Sequence, residues 1–231
     1  MGIGAGWGAD VFFFKHLREG KRRSRLVFVG ISTLLLLGVN LVLIFLLSYA
    51  SSAEPLRPDY LMGVSLTLSC YILFFYNTTG DWVRELAKPY IYLAPETPFR
   101  KLLWAGSAGM VKACAEGVLL FTVMGIFTGC SLLTAVACML VYIAMGVFFL
   151  AGNVLSMRLF GKVGRQGLLL LILLLLLLAI LLPGLGLSAF VLFSGCSALV
   201  SALPLAGWAL LTAAVIIFCC RNLLSNVELS G

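Results

Sequence analysis

Charge-free stretches divide this chain before any other property does. Residues 26–53 and 60–80 contain no Asp, Glu, Lys or Arg; residues 117–157 form an uncharged run of 41, and residues 166–220 one of 55. A helix needs about 20 mostly apolar residues to cross the hydrocarbon core of a bilayer. The first two runs hold one span each. The run of 41 is too long for one helix and holds parts of two, folded back near Thr128-Gly129-Cys130-Ser131. The run of 55 holds two spans with about 15 residues to spare. The surplus falls over 183–203, rich in Gly, Ser and Pro, and is expected to be a re-entrant outer segment. The predicted fold is an all-α polytopic membrane domain over 26–220, with six spans near 26–50, 60–77, 105–127, 131–156, 168–190 and 203–220. Residues 1–25 precede it and a short tail, 221–231, follows.

Composition narrows the class to the same answer. The chain is 62% hydrophobic and 11% charged, with a mean hydropathy of +1.12, where a soluble domain is about half apolar and about a quarter charged. A soluble domain, a disordered chain, collagen, a coiled coil and a disulfide scaffold are all excluded. The first apolar stretch is also longer than the apolar core of a secretory signal, about 7–15 residues, so it reads as a retained helix.

The sparse charge is placed. With both ends inside, Lys15, Arg18, Lys21, Arg22, Arg23 and Arg25 fall in the N-terminal segment. Arg84, Lys88, Arg100 and Lys101 fall in the second loop, Arg158, Lys162 and Arg165 in the fourth, and Arg221 in the tail. That puts 14 of the 16 Lys and Arg on one side, leaving Arg57 outside and Lys112 within a span. Such asymmetry predicts cytoplasmic termini, and it makes anionic membrane lipids, not nucleic acid, the partner of the net +7 charge. The sequon Asn77-Thr78-Thr79 then faces the cytoplasm and is discarded as a glycan site.

Two segments between the apolar runs carry pattern of their own. In 7–19, WGADVFFFKHLRE, Trp7, Val11, Phe14 and Leu17 recur at helical spacing, which suits an amphipathic helix in the membrane interface; a plain cationic anchor is the other reading. Residues 79–101, TGDWVRELAKPYIYLAPETPFRK, are the richest. Asp81 can cap a short helix bearing Trp82, Arg84, Glu85, Leu86 and Lys88, which Pro89 ends, with Tyr90 and Tyr92 following. Docking onto a cytoplasmic partner and an interfacial aromatic belt both fit this composition. The loop 158–167 is short, basic and glycine-bearing, a minor contact or simply a topology signal.

Inside the predicted spans, Lys112 and Glu116 lie four residues apart, on one helical face and able to pair. With the third span starting near 105, Lys112 is expected roughly 10 Å along it. A charge there usually faces the protein interior. A substrate or ion path is one reading, a buried structural pair or a lysine reaching for the cytoplasmic side the other. Asn40 and Asn153 are expected to hydrogen-bond between helices, while Gly125/Gly129 and Ala105/Gly109 are small-residue pairs that permit close approach. The seven cysteines lack a C-x-x-C pair and read as packing residues; His16 is the only histidine, so neither a metal site nor a cofactor is expected. There is no catalytic motif and no Walker A sequence, so the chain is expected to be no enzyme and to hydrolyse no ATP itself.

In order, these features resemble the six-helix permease of type-2 ABC transporters. WGADVFFFKHLREGKRRSR, LAKPYIYLAPETPFRKLLWA and NVLSMRLFG resemble the ABC exporter permeases of Gram-positive bacteria. The likeness covers most of residues 7–162 and falls on the C-terminal half of those longer permeases. The resemblance implies a plasma-membrane exporter subunit coupled to a separate ABC ATPase. It also implies a second permease half, as a homodimer or heterodimer, and an ATPase-coupling helix at Asp81–Tyr92. The rival expectation is a non-transporting scaffold or regulatory subunit of a membrane complex.

Overall fold

Two prolines mark where helices begin. Pro58 and Pro98 each occupy a first helical position, where the missing N–H has no partner to lose and the fixed φ is already helical. In the computed structural model, which describes residues 11, 13–15, 18, 30–50, 56–78, 97–160, 167–196 and 198–221, six long helices follow one another. They are α1 (Ile31–Ala50), α2 (Pro58–Thr78), α3 (Pro98–Thr128), α4 (Leu132–Phe160), α5 (Gly167–Phe193) and α6 (Ala198–Cys219). Each contains a stretch long and apolar enough to cross a membrane, and no strand occurs among the described residues. The all-α polytopic architecture is thus as expected. Val11, Phe13, Phe14, Lys15 and Arg18 are also helical. The starts of α2 and α4 meet at one end of the bundle, the turn end, through Asp59 and Thr134. Arg158 of α4 meets the end of α6 at the other, the basic end, where α3 starts with Arg100 and Lys101.

The α3–α4 turn falls where the uncharged run of 41 required a fold-back. Gly129 closes α3 with φ 65° and donates its N–H to the Gly125 carbonyl at 3.0 Å, a left-handed cap that glycine adopts without strain. Ser131 then opens α4, its hydroxyl accepting from the Thr134 N–H at 3.2 Å. Of the Gly125/Gly129 pair, only Gly125 therefore serves helix packing, lying against Ala135.

One expected boundary needs correction. α3 begins at Pro98, seven residues before 105, because a helix ladder continues through Arg100 and Lys101 even where an apolar run does not. At 31 residues α3 is about 46 Å long. Over 183–203 the two neighbouring helices form a hairpin: α5 runs through Pro183 to Phe193, and α6 starts at Ala198 and contains Pro204. Within lipid a proline is tolerated when a neighbouring helix supplies bonds to the opened turn. Here the Trp208 indole Nε1 of α6 donates to the Ile180 carbonyl at 2.8 Å, one turn before Pro183. Gly184 makes room for that indole, since a Cβ there would stand 2.8 Å from Trp208 Cβ. Ser188 also donates its hydroxyl to the Ser201 carbonyl across the hairpin.

The bundle is organised on α4. More than half of its most apolar window is buried, against a third or less in every other helix. It packs on α2, α3, α5 and most extensively α6, while α1 rests on α2 and α3. The outward faces of α1 and α5 present Leu34, Leu35, Phe45, Leu175 and Leu182, as lipid-facing surfaces do. Because lipid tails are as apolar as leucine, close van der Waals contact and polar bonds, not burial from water, hold such helices together. The α3–α4 seam follows that rule. Ala105, Gly109, Ala113 and Gly117 recur every four residues along α3, and Gly146 of α4 lies so near that a Cβ on it would stand 2.7 Å from Ala113 Cβ. At the basic end the Arg158 guanidinium of α4 donates to the Cys219 carbonyl, closing the C-terminus of α6.

Adding one methyl should therefore separate two positions. Gly146→Ala is expected to lower the unfolding stability in detergent by about 1–3 kcal/mol. Gly38→Ala, where nothing lies within 4 Å of the added Cβ, should be neutral or slightly stabilising by helix propensity. Denaturation midpoints of the two variants against the parent check this.

Candidate functional site

Polar side chains are scarce in these helices, and half of the buried ones among the described residues bond to each other. On α3, one turn apart, Lys112 Nζ stands 3.6 Å from Glu116 Oε1. Glu116 is only 5% exposed, and its remaining acceptor capacity is met from two other helices. The Thr33 hydroxyl of α1 donates to Oε1 at 2.6 Å, and the Tyr142 hydroxyl of α4 approaches Oε2 at 3.5 Å. Lys112 in turn donates to the Tyr76 hydroxyl of α2, with its ammonium 3.9 Å from that ring's centroid, a cation–π arrangement. Three helices thus converge on one carboxylate, and α2 joins them as a fourth through Lys112. Gly117 makes the approach possible, because Tyr142 occupies the space its side chain would need. Phe121 packs edge-on against the Tyr142 ring, centroids 5.7 Å apart.

Depth changes with the new helix start. Lys112 lies about 21 Å along α3, not roughly 10 Å, and Glu116 stands about 18 Å short of Thr128. A single ionised group at that depth costs several kcal/mol; an opposite charge and hydroxyl donors offset it.

A second cluster joins α1 to α2. Asn40 donates to the Ser69 hydroxyl at 3.1 Å and to the Leu36 carbonyl at 2.8 Å, and accepts from Ser65 at 2.7 Å. All three polar residues are buried. A third fixes α2 to α4 at its two ends. At the turn end Thr134 donates to Asp59 at 2.8 Å, and at the basic end Asn153 Nδ2 donates to the Asn77 carbonyl at 2.8 Å. Asn40 and Asn153 therefore both bond between helices. Phe74 and Phe149 meet edge-to-face between these ends, centroids 5.4 Å apart.

Of the residues singled out from sequence, the structure brings Lys112 and Glu116 together. It places Val11 and Phe14 on the exposed side of their helix. The neighbouring Phe13 is the one that packs, against Trp104 of α3 at 6.3 Å. Trp7, Leu17 and the whole proposed coupling set, Asp81, Trp82, Arg84, Glu85, Leu86, Lys88, Tyr90 and Tyr92, lie outside the described residues. Sequence reasoning missed Thr33, Tyr76 and Tyr142. Only Tyr142 carried a usable signal: a tyrosine in a long uncharged run must find a partner for its hydroxyl once buried. The seven cysteines are free thiols, and no cluster of His, Cys, Asp and Glu able to hold a metal occurs among the described residues.

Six apolar helices knitted by buried polar bonds define a multi-pass membrane protein. The chain belongs to the ABC exporter family, whose model, described as "Putative ABC exporter", matches residues 1–228. No curated protein and no solved structure matches it.

The hub predicts unequal losses. Lys112→Met leaves a buried carboxylate without its counter-charge and should destabilise by about 3–5 kcal/mol. Glu116→Gln keeps a hydrogen-bonding group of the same shape and should cost about 1–2 kcal/mol. The double variant Lys112→Met/Glu116→Gln should lose less than the sum, since neither charge is then stranded. Unfolding of all three in one detergent measures the coupling.

Proposed function

We propose that this chain is the membrane permease subunit of an ABC exporter, driven by ATP hydrolysis on a separate subunit. Membership of the exporter family over residues 1–228, on a chain with six spans, is the observation that carries this reading. Transport through the membrane is the family's business. The energy-coupling partner, the cytoplasmic placement of the basic end and the bacterial plasma membrane are this reading's own content. Nucleotide chemistry is assigned to the partner because the chain has no Walker A sequence.

In this mechanism the partner grips the connector at Asp81–Tyr92, which Trp82, Arg84 and Glu85 equip with an aromatic ring and both charges. The connector joins the end of α2 to the start of α3. A push there reaches two helices at once, and both are bonded to α4: α2 through Asn77 and Asp59, α3 through its small-residue seam. The bundle would then tilt as a unit. A second six-helix unit, from another copy or from a different chain, would supply the opposite wall of the path. Anionic lipids at the basic end would meet Arg100 and the charges of the neighbouring loops.

Co-expression with the candidate ATPase is the test. The ATPase should copurify with the wild-type chain. Reversing charge at Arg84 and Glu85 one at a time, or replacing Trp82 by Ala, should weaken that association and the stimulation of ATP hydrolysis by about tenfold or more, as hot-spot losses of 2 kcal/mol or more imply. Absence of copurification, together with unchanged hydrolysis in these variants, would sink the exporter reading in favour of a scaffold. A charge-swapped Lys112→Glu/Glu116→Lys chain that still transports would mark the hub as structural and not part of the substrate path.

A further inference from the structure

Two residues in the last turn of α2, before the connector, are held by other helices. The Tyr76 hydroxyl accepts from Lys112 of α3, and the Asn77 carbonyl accepts from Asn153 of α4 at 2.8 Å. Beside the second of these bonds lie two buried polar atoms with no hydrogen-bond partner among the described residues, Asn77 Nδ2 and Asn153 Oδ1. One is a donor and the other an acceptor, and they belong to two residues already in contact. A buried polar atom left unpaired costs about 1–3 kcal/mol, so an unpaired donor and an unpaired acceptor on two residues already bonded to each other mark a bond that another arrangement of the same residues would make.

We propose that the last turn of α2 is a two-position relay. In one position Asn153 donates to the Asn77 backbone carbonyl; in the other the Asn77 side-chain amide donates to Asn153 Oδ1. The change rotates the last turn of α2 and carries Tyr76 with it. Because Lys112 bonds Tyr76 on one side and Glu116 on the other, the displacement passes to the carboxylate and from there to Thr33 on α1 and Tyr142 on α4. Tyr76, Asn77 and Asn153 are positioning residues: they contact no substrate but set where the four-helix hub stands when the connector moves. The relay rests on the connector being the point at which an ATPase acts, as proposed above. Two exchangeable bonding arrangements supply the discrete states that coupling between distant sites requires.

Hydrogen exchange on the full chain, bound to its ATPase and compared with and without vanadate-trapped nucleotide, tests this. In the wild type, trapping should change exchange in peptides covering the connector, Thr33 and Tyr142. In Asn153→Leu and Tyr76→Phe the connector change should persist, while the changes at Thr33 and Tyr142 shrink about 2- to 30-fold. Asn40→Leu, which removes buried bonds between α1 and α2, should lower stability yet leave the nucleotide response at Tyr142 in place. Full responses at Thr33 and Tyr142 in both relay variants overturn the relay. So does a loss in Asn40→Leu equal to theirs, which would mean that any weakening of α2 suffices. No nucleotide response anywhere in the wild type, connector included, overturns the ATPase reading itself and the relay with it.

Discussion

The contact between Ala113 and Gly146 sets the spacing of α3 and α4, and most of the bundle takes its position from that spacing. In lipid there is no water to squeeze out from between apolar helices, so attraction depends on how closely two backbones can approach. A seam of Ala105, Gly109, Ala113 and Gly117 on one helix against Gly146 on the other brings them near enough for Tyr142 to reach past Gly117 to Glu116. With α4 fixed against α3, its other faces receive α2 and α6. Widening the seam would withdraw the Tyr142 hydroxyl from the carboxylate as well as costing dispersion energy.

The polar groups add selectivity to this packing. An ion pair buried among apolar helices is weak evidence of net stability, because desolvation offsets most of the attraction. It does penalise wrong arrangements heavily. A bundle in which α1 slid by one turn would leave Glu116 without Thr33, and one in which α2 slid would leave Lys112 without Tyr76. Asn40 with Ser65 and Ser69, and Asp59 with Thr134, act in the same sense at other depths. The register of the first four helices is therefore specified at several levels along the membrane normal, whereas the α5–α6 hairpin relies on the bonds of Trp208, Ser188 and Arg158.

Much of the fold was legible in the sequence, for a plain reason. Charge excluded from hydrocarbon marks the spans, and Gly129-Cys130-Ser131 marks the tight turn with a helix stop and a helix start. The error came where that marker and the backbone disagree: Arg100 and Lys101 interrupt an apolar run but not a hydrogen-bond ladder. The centrality of α4 could not be read, since uniformly apolar helices carry no face that tells protein from lipid. In the site, Lys112 and Glu116 were visible because their spacing is local. Thr33, Tyr76 and Tyr142 come from other helices, and one sequence gives no register between helices.

The length of the α3–α4 hairpin has a mechanical consequence. At about 46 and 43 Å, both rods exceed a hydrocarbon core of about 30 Å. Tilts up to about 40° do not shorten them enough to fit. Their ends therefore stand in the headgroup layer, and the guanidinium groups of Arg100 and Arg158 are borne on stiff helices continuous with the seam and the hub. A bilayer of different thickness would then be met by a change in the tilt of this hairpin, without any ligand at all.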